Sequence, residues 1–312
     1  MQSPFRPAPL RRGWVFVVAL PLLWVAADWT YSRRVTLRMA RWEATQERDD
    51  HGVQIGHAAY TLGDGDPALL LIHGIADSPR AYAKMAPRLA RQGFTCRVMR
   101  LPGFAEPVES LASATRDDWT RAVAAELADL TGTHGSVAVV AHSLGAAVAI
   151  HCALAEPPSI DALVLLAPLI DVSRKRSPLL SARAWHHVTR RALHFTTITE
   201  TPFPIDARDP EERDFPDRCR FSPVGVFDEV FALIDGNRHR ADELRMPLMT
   251  VVSPHDRVID RDAAERFHAE AGSAVKILRL ASDAGHALPR DHGWEERTDA
   301  IAEFARASAT GN

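Results

Sequence analysis

Residues 137–150 read VAVVAHSLGAAVAI, from Val137 to Ile150. Val137 to Ala141 form a short, continuous apolar run rich in β-branched residues, which predicts a strand buried on both faces. The small residues that follow Leu144 predict a helix packed closely against that strand. Ser143 lies two residues beyond the strand, where the chain must turn sharply into the helix. Such a turn holds the serine in a strained conformation with its hydroxyl exposed at the top of a sheet. It also requires small residues two before and two after, here Ala141 and Gly145, because neighbouring backbone crowds both places. The usual pattern is G-x-S-x-G, and this chain carries Ala at its first position. The competing reading of this serine is the N-cap of a structural helix.

Similar apolar runs occur on either side. Ala68–Ile72, Thr95–Met99, Ala162–Leu166, Pro247–Val252 and Val275–Leu280 all have strand length and central-strand character. Helical stretches alternate with them, from Arg80 to Arg91 after the start signal Asp77-Ser78-Pro79, and from Trp119 to Leu130 after Asp117 and Asp118. The pattern predicts an α/β fold with a mostly parallel sheet covered by helices. Between Asp171 and about Arg240 no clear strand is visible and prolines and aromatics are frequent, so a largely helical cap insertion is expected over 171–240.

A nucleophilic serine needs a base, a group that orients the base, and donors for the oxyanion. The strand ending at Ile72 runs into His73-Gly74, which leaves the backbone N–H of Ile75 free to pair with that of Leu144 as the two-donor hole. His73 itself reads as a structural side chain that ties the turn. Asp256 follows the run PLMTVV in the loop SPHD, and His286 follows KILRL in the loop ASDAGH. Asp260 and Asp283 compete with Asp256 as orienter, but Asp260 has the position of a helix cap and Asp283 is close enough to His286 in sequence to be a loop-shaping residue. His255 and His268 are weaker candidates for the base than His286.

The order Ser143, Asp256, His286 and the motifs around it resemble the α/β-hydrolase family, over about residues 53–307. The resemblance is to bacterial esterases and monoacylglycerol-lipase-like serine hydrolases. It rests on His73-Gly74, Leu101-Pro102-Gly103, the Ala141–Gly145 elbow, Asp256, and Gly285-His286. Phe104-Ala105-Glu106 departs from the small, polar turn that often follows L-P-G in relatives. The resemblance implies a Ser143–His286–Asp256 triad acting through an acyl-enzyme on a carboxylic ester, with no cofactor. Thioesterase, acyltransferase or C–C hydrolase chemistry on the same residues is the enzymatic alternative. A membrane-tethered binding protein on a degenerate hydrolase fold is the non-catalytic one.

Composition narrows the partners. Thirty-seven basic and 40 acidic residues give a net charge of −3 over 312 residues, with no basic concentration that suits nucleic acid. The three cysteines show no metal or disulfide spacing, Cys96 and Cys152 read as core thiols, and the histidines carry no zinc-ligand motif. From Gly13 to Ala27 the run GWVFVVALPLLWVAA is uncharged and follows Arg11 and Arg12, with Trp14, Trp24, Trp29 and Tyr31 near its ends. A membrane anchor over 13–31 is expected, in the inner membrane if the source is bacterial; a signal peptide removed after Ala27 is the alternative. The remaining divisions expected are a tail at 1–12, a linker at 32–52, core at 53–170 and 241–307, and a tail at 308–312. The expected partners are an acyl substrate and the membrane.

Overall fold

The computed structural model describes residues 13–155, 160–177, 179–215 and 218–309. The N-terminal tail expected over residues 1–12 and residues 310–312 of the C-terminal tail lie outside them. The strands are β1 (Tyr60–Leu62), β2 (Ala68–Ile72), β3 (Thr95–Met99), β4 (Val137–His142), β5 (Ala162–Leu166), β6 (Ile198–Glu200), β7 (Phe221–Pro223), β8 (Leu248–Val252) and β9 (Lys276–Leu280). The helices are α1 (Gly13–Glu43), α2 (Met85–Arg91), α3 (Val108–Ser113), α4 (Arg116–Thr133), α5 (Leu144–Ala155), α6 (Ala182–Ala192), α7 (Pro210–Arg213), α8 (Val226–Asn237), α9 (Arg261–Glu270) and α10 (Trp294–Ala309).

Seven strands form one sheet in the order β1-β3-β2-β4-β5-β8-β9, parallel throughout except for the antiparallel edge strand β1. This is the mostly parallel, helix-flanked sheet expected from the alternating pattern. Every residue of β2, β4 and β5 is buried, as a parallel strand covered on both faces must be. At about 1.5–3 kcal/mol for each fully buried Val or Leu side chain, these three strands carry much of the apolar stabilisation. Ser143 emerges at the C-terminal end of β4, near the middle of the sheet. Asp256 and His286 follow β8 and β9, so the topology brings all three to the same edge of the sheet.

Several local expectations change. The helix expected over 80–91 splits into a 3₁₀ turn, Pro79–Tyr82, and α2. Helix α4 starts earlier than expected because Thr115 caps it in a reciprocal capping box with Asp118. The inserted segment is not free of strands: β6 and β7 pair antiparallel within it. Helix α8 packs against α5 on the core, with Leu233 and Ile234 fully buried.

Helix α1 continues to Glu43, through the first part of the segment expected as linker. Asp28, Val35 and Met39 are buried and Ser32 and Trp42 partly so, a stripe at three- and four-residue spacing that lies on the insert. Val35 and Met39 pack with Val108 and Phe221, and Trp42 joins them. The Asp28 carboxylate accepts from the backbone N–H of His194 (2.6 Å) and Phe195 (2.9 Å) and from the Thr196 hydroxyl (2.6 Å). Trp24 Nε1 donates to the Ala192 carbonyl at 2.7 Å. Ahead of Asp28 the exposure changes abruptly: Leu20, Leu22 and Leu23 are each more than 60% exposed. Among the described residues, no helix is long and apolar enough to cross a membrane.

Candidate active site

Ser143 has φ +53°, a left-handed conformation that a residue with a Cβ adopts only when its surroundings enforce it. Its N–H donates to the Leu166 carbonyl (3.0 Å), and its own carbonyl accepts from Ala147 (3.2 Å) and Leu169 (3.3 Å). Gly145 explains itself sterically: a Cβ there would stand 2.5 Å from the His73 carbonyl oxygen and 2.6 Å from that of Ile72. With a side chain there the helix could not approach β2 closely enough for the turn to form. Ala141, at the position where the usual motif has Gly, is fully buried.

The serine Oγ lies 2.9 Å from His286 Nε2, and His286 Nδ1 lies 2.7 Å from Asp256 Oδ2. Asp256 is fully buried. Burial alone would raise its pKa, but the His286 charge and hydrogen bond, with N–H donors from Val258 (2.7 Å) and Ile259 (3.0 Å), hold the carboxyl below its ordinary value. An ionised carboxylate fixed in this way fixes the imidazole in turn, with the proton on Nδ1 and the lone pair of Nε2 facing the serine. The rival carboxylates are used elsewhere. Asp260 caps α9 through Ala263, and Asp283 pairs with Arg297 at 3.4 Å. His268 bonds Thr250 and His255 is exposed.

His73 ties the turn as expected. Its Nε2 accepts from the Leu101 N–H (3.1 Å), so Nδ1 carries the proton and donates to the Gly74 carbonyl (2.9 Å); burial pushes the imidazole down to about 4. A Cβ on Gly74 would stand 3.1 Å from Ser143 Cβ, so the turn leading into Ile75 lies directly beside the serine. Neither the Ile75 nor the Leu144 backbone N–H has a protein acceptor among the described residues. Leu144 opens α5, where the helix dipole adds partial positive charge. Ser143 and Ile75 both line a cavity of about 370 Å³ whose walls include Leu169, Trp185, Phe227 and Phe231. Helix α6 of the insert gives part of its wall, through Ala182, Trp185, His186 and Thr189.

Three further residues support the site: Asp206 and Asp291, which no motif announces, and His142, which lies inside the elbow itself. The Asp206 carbonyl accepts from the His286 N–H (2.7 Å) and the Ala287 N–H (3.1 Å), and a Cβ on Gly285 would collide with it at 2.5 Å. Asp291 is a buried carboxylate that accepts from the N–H groups of Gly285 (2.6 Å), Arg208 (2.9 Å) and Asp209 (2.8 Å), joining the insert to the histidine loop. His142 donates from Nε2 to the His286 carbonyl at 2.9 Å. Each acts by receiving or giving a backbone hydrogen bond across the chain, which leaves no local spacing to detect. Among the described residues no group of three or more His, Cys, Asp or Glu could hold a metal ion, and all three cysteines are free thiols.

The geometry has counterparts in known proteins. A family model described as serine aminopeptidase, S33, matches residues 64–293. A carboxylesterase of Bacillus subtilis is 23% identical over 233 residues, covering 74% of this chain and 89% of that protein. A structure of the metagenome-derived lipolytic enzymes LipS and LipT superposes with a TM-score of 0.73 at 18% identity, over 82% of this chain and 99% of the other. The monoacylglycerol lipase of Paleococcus ferrophilus gives 0.68 at 18% identity, over 80% and 98%. These likenesses place the architecture in the α/β-hydrolase fold.

Proposed function

The chain belongs to the serine aminopeptidase S33 family of α/β-hydrolase-fold ester hydrolases, and from that premise we propose that it cleaves a carboxylic acyl ester with Ser143 as nucleophile, His286 as base and Asp256 as its orienter. The observation that carries the assignment is the unbroken contact from Ser143 Oγ to His286 Nε2 (2.9 Å) and from His286 Nδ1 to Asp256 Oδ2 (2.7 Å). As Oγ attacks the ester carbonyl, Nε2 takes its proton, and the carbonyl oxygen becomes an oxyanion held by the Ile75 and Leu144 N–H groups. Collapse of the intermediate expels the alcohol, which takes the proton from Nε2. Water, deprotonated by the same nitrogen, then releases the acid and regenerates the serine.

The cavity favours an ester with an apolar acyl group over a peptide with a free amino terminus. Recognition of an ammonium group calls for a facing carboxylate, whereas the charged residues that line this cavity are Arg176 and Arg257. At about 370 Å³ and with walls of Leu169, Phe227, Val230 and Phe231, the cavity has the size and character of a site for an apolar acyl chain. The exposed apolar turns around Leu20–Trp24 support a second part of the reading, in which the N-terminal segment holds the enzyme at a bilayer from which acyl substrates are drawn.

Labelling with a fluorophosphonate probe, followed by kinetics on an ester series from two to sixteen acyl carbons, tests the proposal. Covalent labelling and a rate maximum at medium chain length are expected. A folded protein that neither labels nor turns over any ester would overturn it.

A further inference from the structure

The cavity beside Ser143 is not apolar throughout. Leu169, Val172, Val224, Phe227, Val230 and Phe231 give it walls without hydrogen-bonding side chains, but α6 brings two polar residues into the same wall, His186 and, about one helical turn on, Thr189. Residues three apart lie side by side on one helix face, with about 5–6 Å between their Cβ atoms, so the two can serve a single ligand group.

His186 is 9% exposed, and its ring is set against those of Phe231 (5.3 Å between centres) and Phe227 (6.2 Å). Its Nε2 donates to the Asp228 carboxylate at 2.6 Å, and Arg190 meets the other carboxylate oxygen at 3.3 Å. This bond decides the tautomer: with the proton on Nε2, the neutral ring keeps a lone pair on Nδ1. Nδ1 has no hydrogen-bond partner among the described residues. Thr189 departs from the other helical threonines. Thr30, Thr36, Thr120 and Thr298 return their hydroxyls to the carbonyl four residues back, whereas the Thr189 hydroxyl has no partner among the described residues. Of the other polar side chains in the wall, Thr199 donates to the Ser222 carbonyl at 3.2 Å and Arg176 pairs with Asp206 at 3.3 Å. An imidazole acceptor and a hydroxyl thus stand together, unused, in the wall of the cavity that the nucleophile also lines.

We propose that His186 and Thr189 recognise a hydroxyl group on the acyl chain, so that the enzyme selects esters of hydroxylated acids over esters of plain ones. The inference rests on the ester-hydrolase reading above. A hydroxyl both donates and accepts, so it can give its proton to His186 Nδ1 and take that of Thr189, while the flanking methylenes keep their contacts with Phe227, Val230 and Phe231. A plain chain displaces water from both groups and leaves them unpaired, a desolvation cost that the hydroxylated chain avoids. Discrimination of this kind is strong because the wrong ligand is penalised as well as the right one rewarded. The bond to Asp228 also clips α6 to α8, but that structural task uses Nε2 alone and leaves Nδ1 and Thr189 without a purpose.

The test compares kcat/KM for methyl decanoate with that for a series of methyl hydroxydecanoates in which the hydroxyl steps along the chain, in wild type, Thr189→Val, His186→Phe and His186→Gln. Wild type is expected to prefer at least one hydroxylated ester by about tenfold or more, and the preferred position gives the reach from the ester carbonyl to the pair. Thr189→Val, which keeps the shape of the side chain, is expected to cut that preference by about threefold or more, His186→Phe to abolish it, and His186→Gln, whose amide can still accept, to restore part of it. A merely structural role for His186 lowers turnover of both ester classes alike and leaves their ratio unchanged. An unchanged ratio in either Thr189→Val or His186→Phe therefore overturns the inference, as does a wild type that treats all the esters equally; should His186→Phe fail to fold, Thr189→Val decides. Binding is read separately by calorimetry in a Ser143→Ala background, where at least one hydroxydecanoate ester is expected to bind more tightly than methyl decanoate and to lose that advantage when Thr189 is also replaced by Val; equal affinities overturn the site. If wild type turns over none of the esters, the hydrolase reading fails, and the calorimetric comparison still decides for or against the hydroxyl site.

Discussion

The imidazole of His142 lies 4.8 Å from that of His286, centre to centre, and its Nε2–H donates to the His286 backbone carbonyl at 2.9 Å. His142 Nδ1 is buried with no hydrogen-bond partner among the described residues, and burial, with the His286 charge, pushes the ring down to about 3. A ring that is neutral near pH 7 therefore holds the backbone of the residue proposed to accept the serine proton.

Removing that donor should loosen the base without touching substrate. His142→Leu is expected to lower kcat about tenfold with little change in KM, since an unpaired buried carbonyl costs about 1–3 kcal/mol. His142→Gln, which keeps an N–H, should recover part of the rate. Equal effects of Leu and Gln in steady-state kinetics would count against the hydrogen bond as the cause.

The triad assignment makes a sharper demand. Ser143→Ala and His286→Ala should each reduce kcat by about 10³-fold or more, and the double variant should fall no further than the worse single one, because the two act as a unit. Asp256→Asn should cost a comparable amount through loss of imidazole orientation. Circular dichroism must show each variant folded, and a folded Ser143→Ala protein with near-wild-type turnover would eliminate this serine as nucleophile.

Gly145 has no room to grow. Gly145→Ala forces a methyl against two backbone oxygens at 2.5 and 2.6 Å and should destabilise the fold by about 1–3 kcal/mol, with a larger loss of activity than of Tm because the strain falls on the elbow. Ala141→Gly, by contrast, removes one methyl group and should leave turnover within a few fold. Thermal melts of both variants, paired with ester kinetics, check the contrast.

Acid should unfold the protein earlier than its carboxylates alone require. His73 and His142 are held near 4 and 3, against an ordinary 6.5, so below pH 6.5 the unfolded chain binds protons that the folded one refuses. Stability from these two residues is complete above pH 6.5 and falls as pH drops towards their folded values, at up to about 2–3 kcal/mol per pH unit for two protons. The depressed Asp256 adds stability that is present above its ordinary 3.8 and lost only as pH falls further. Urea unfolding at pH 7, 6, 5 and 4 should show the decline, and a flat profile would mean that these rings are not buried in neutral form.

The strands were legible because parallel strands buried on both faces are continuous apolar runs. Ala68–Ile72, Thr95–Met99 and Ala162–Leu166 agree end for end with β2, β3 and β5. Ser143 and Asp256 were legible because each follows such a run; His286 follows β9, which despite the central-strand look of Val275–Leu280 is an edge strand and largely exposed. The three-residue strands β1, β6 and β7 were not, since they are too short to carry a period, β1 and β6 being half exposed as well, and they form by pairing with distant partners. The stripe on α1 was masked by the uniform apolarity before it, which reads as one segment although the helix has an exposed half and a docked half.

Asp28 has a consequence for anyone preparing the protein without its apolar leader. The sequence invites truncation at about Tyr31, the end of the hydrophobic-looking stretch, yet that cut deletes the one carboxylate that gathers the main chain at His194, Phe195 and Thr196 just beyond α6. The wall that α6 gives to the cavity beside Ser143 would then lose its outer brace, and a fragment begun there would report the behaviour of a slackened enzyme. A fragment begun at Ala27 keeps the brace, sheds the greasy turns, and is the one whose kinetics speak for the intact molecule.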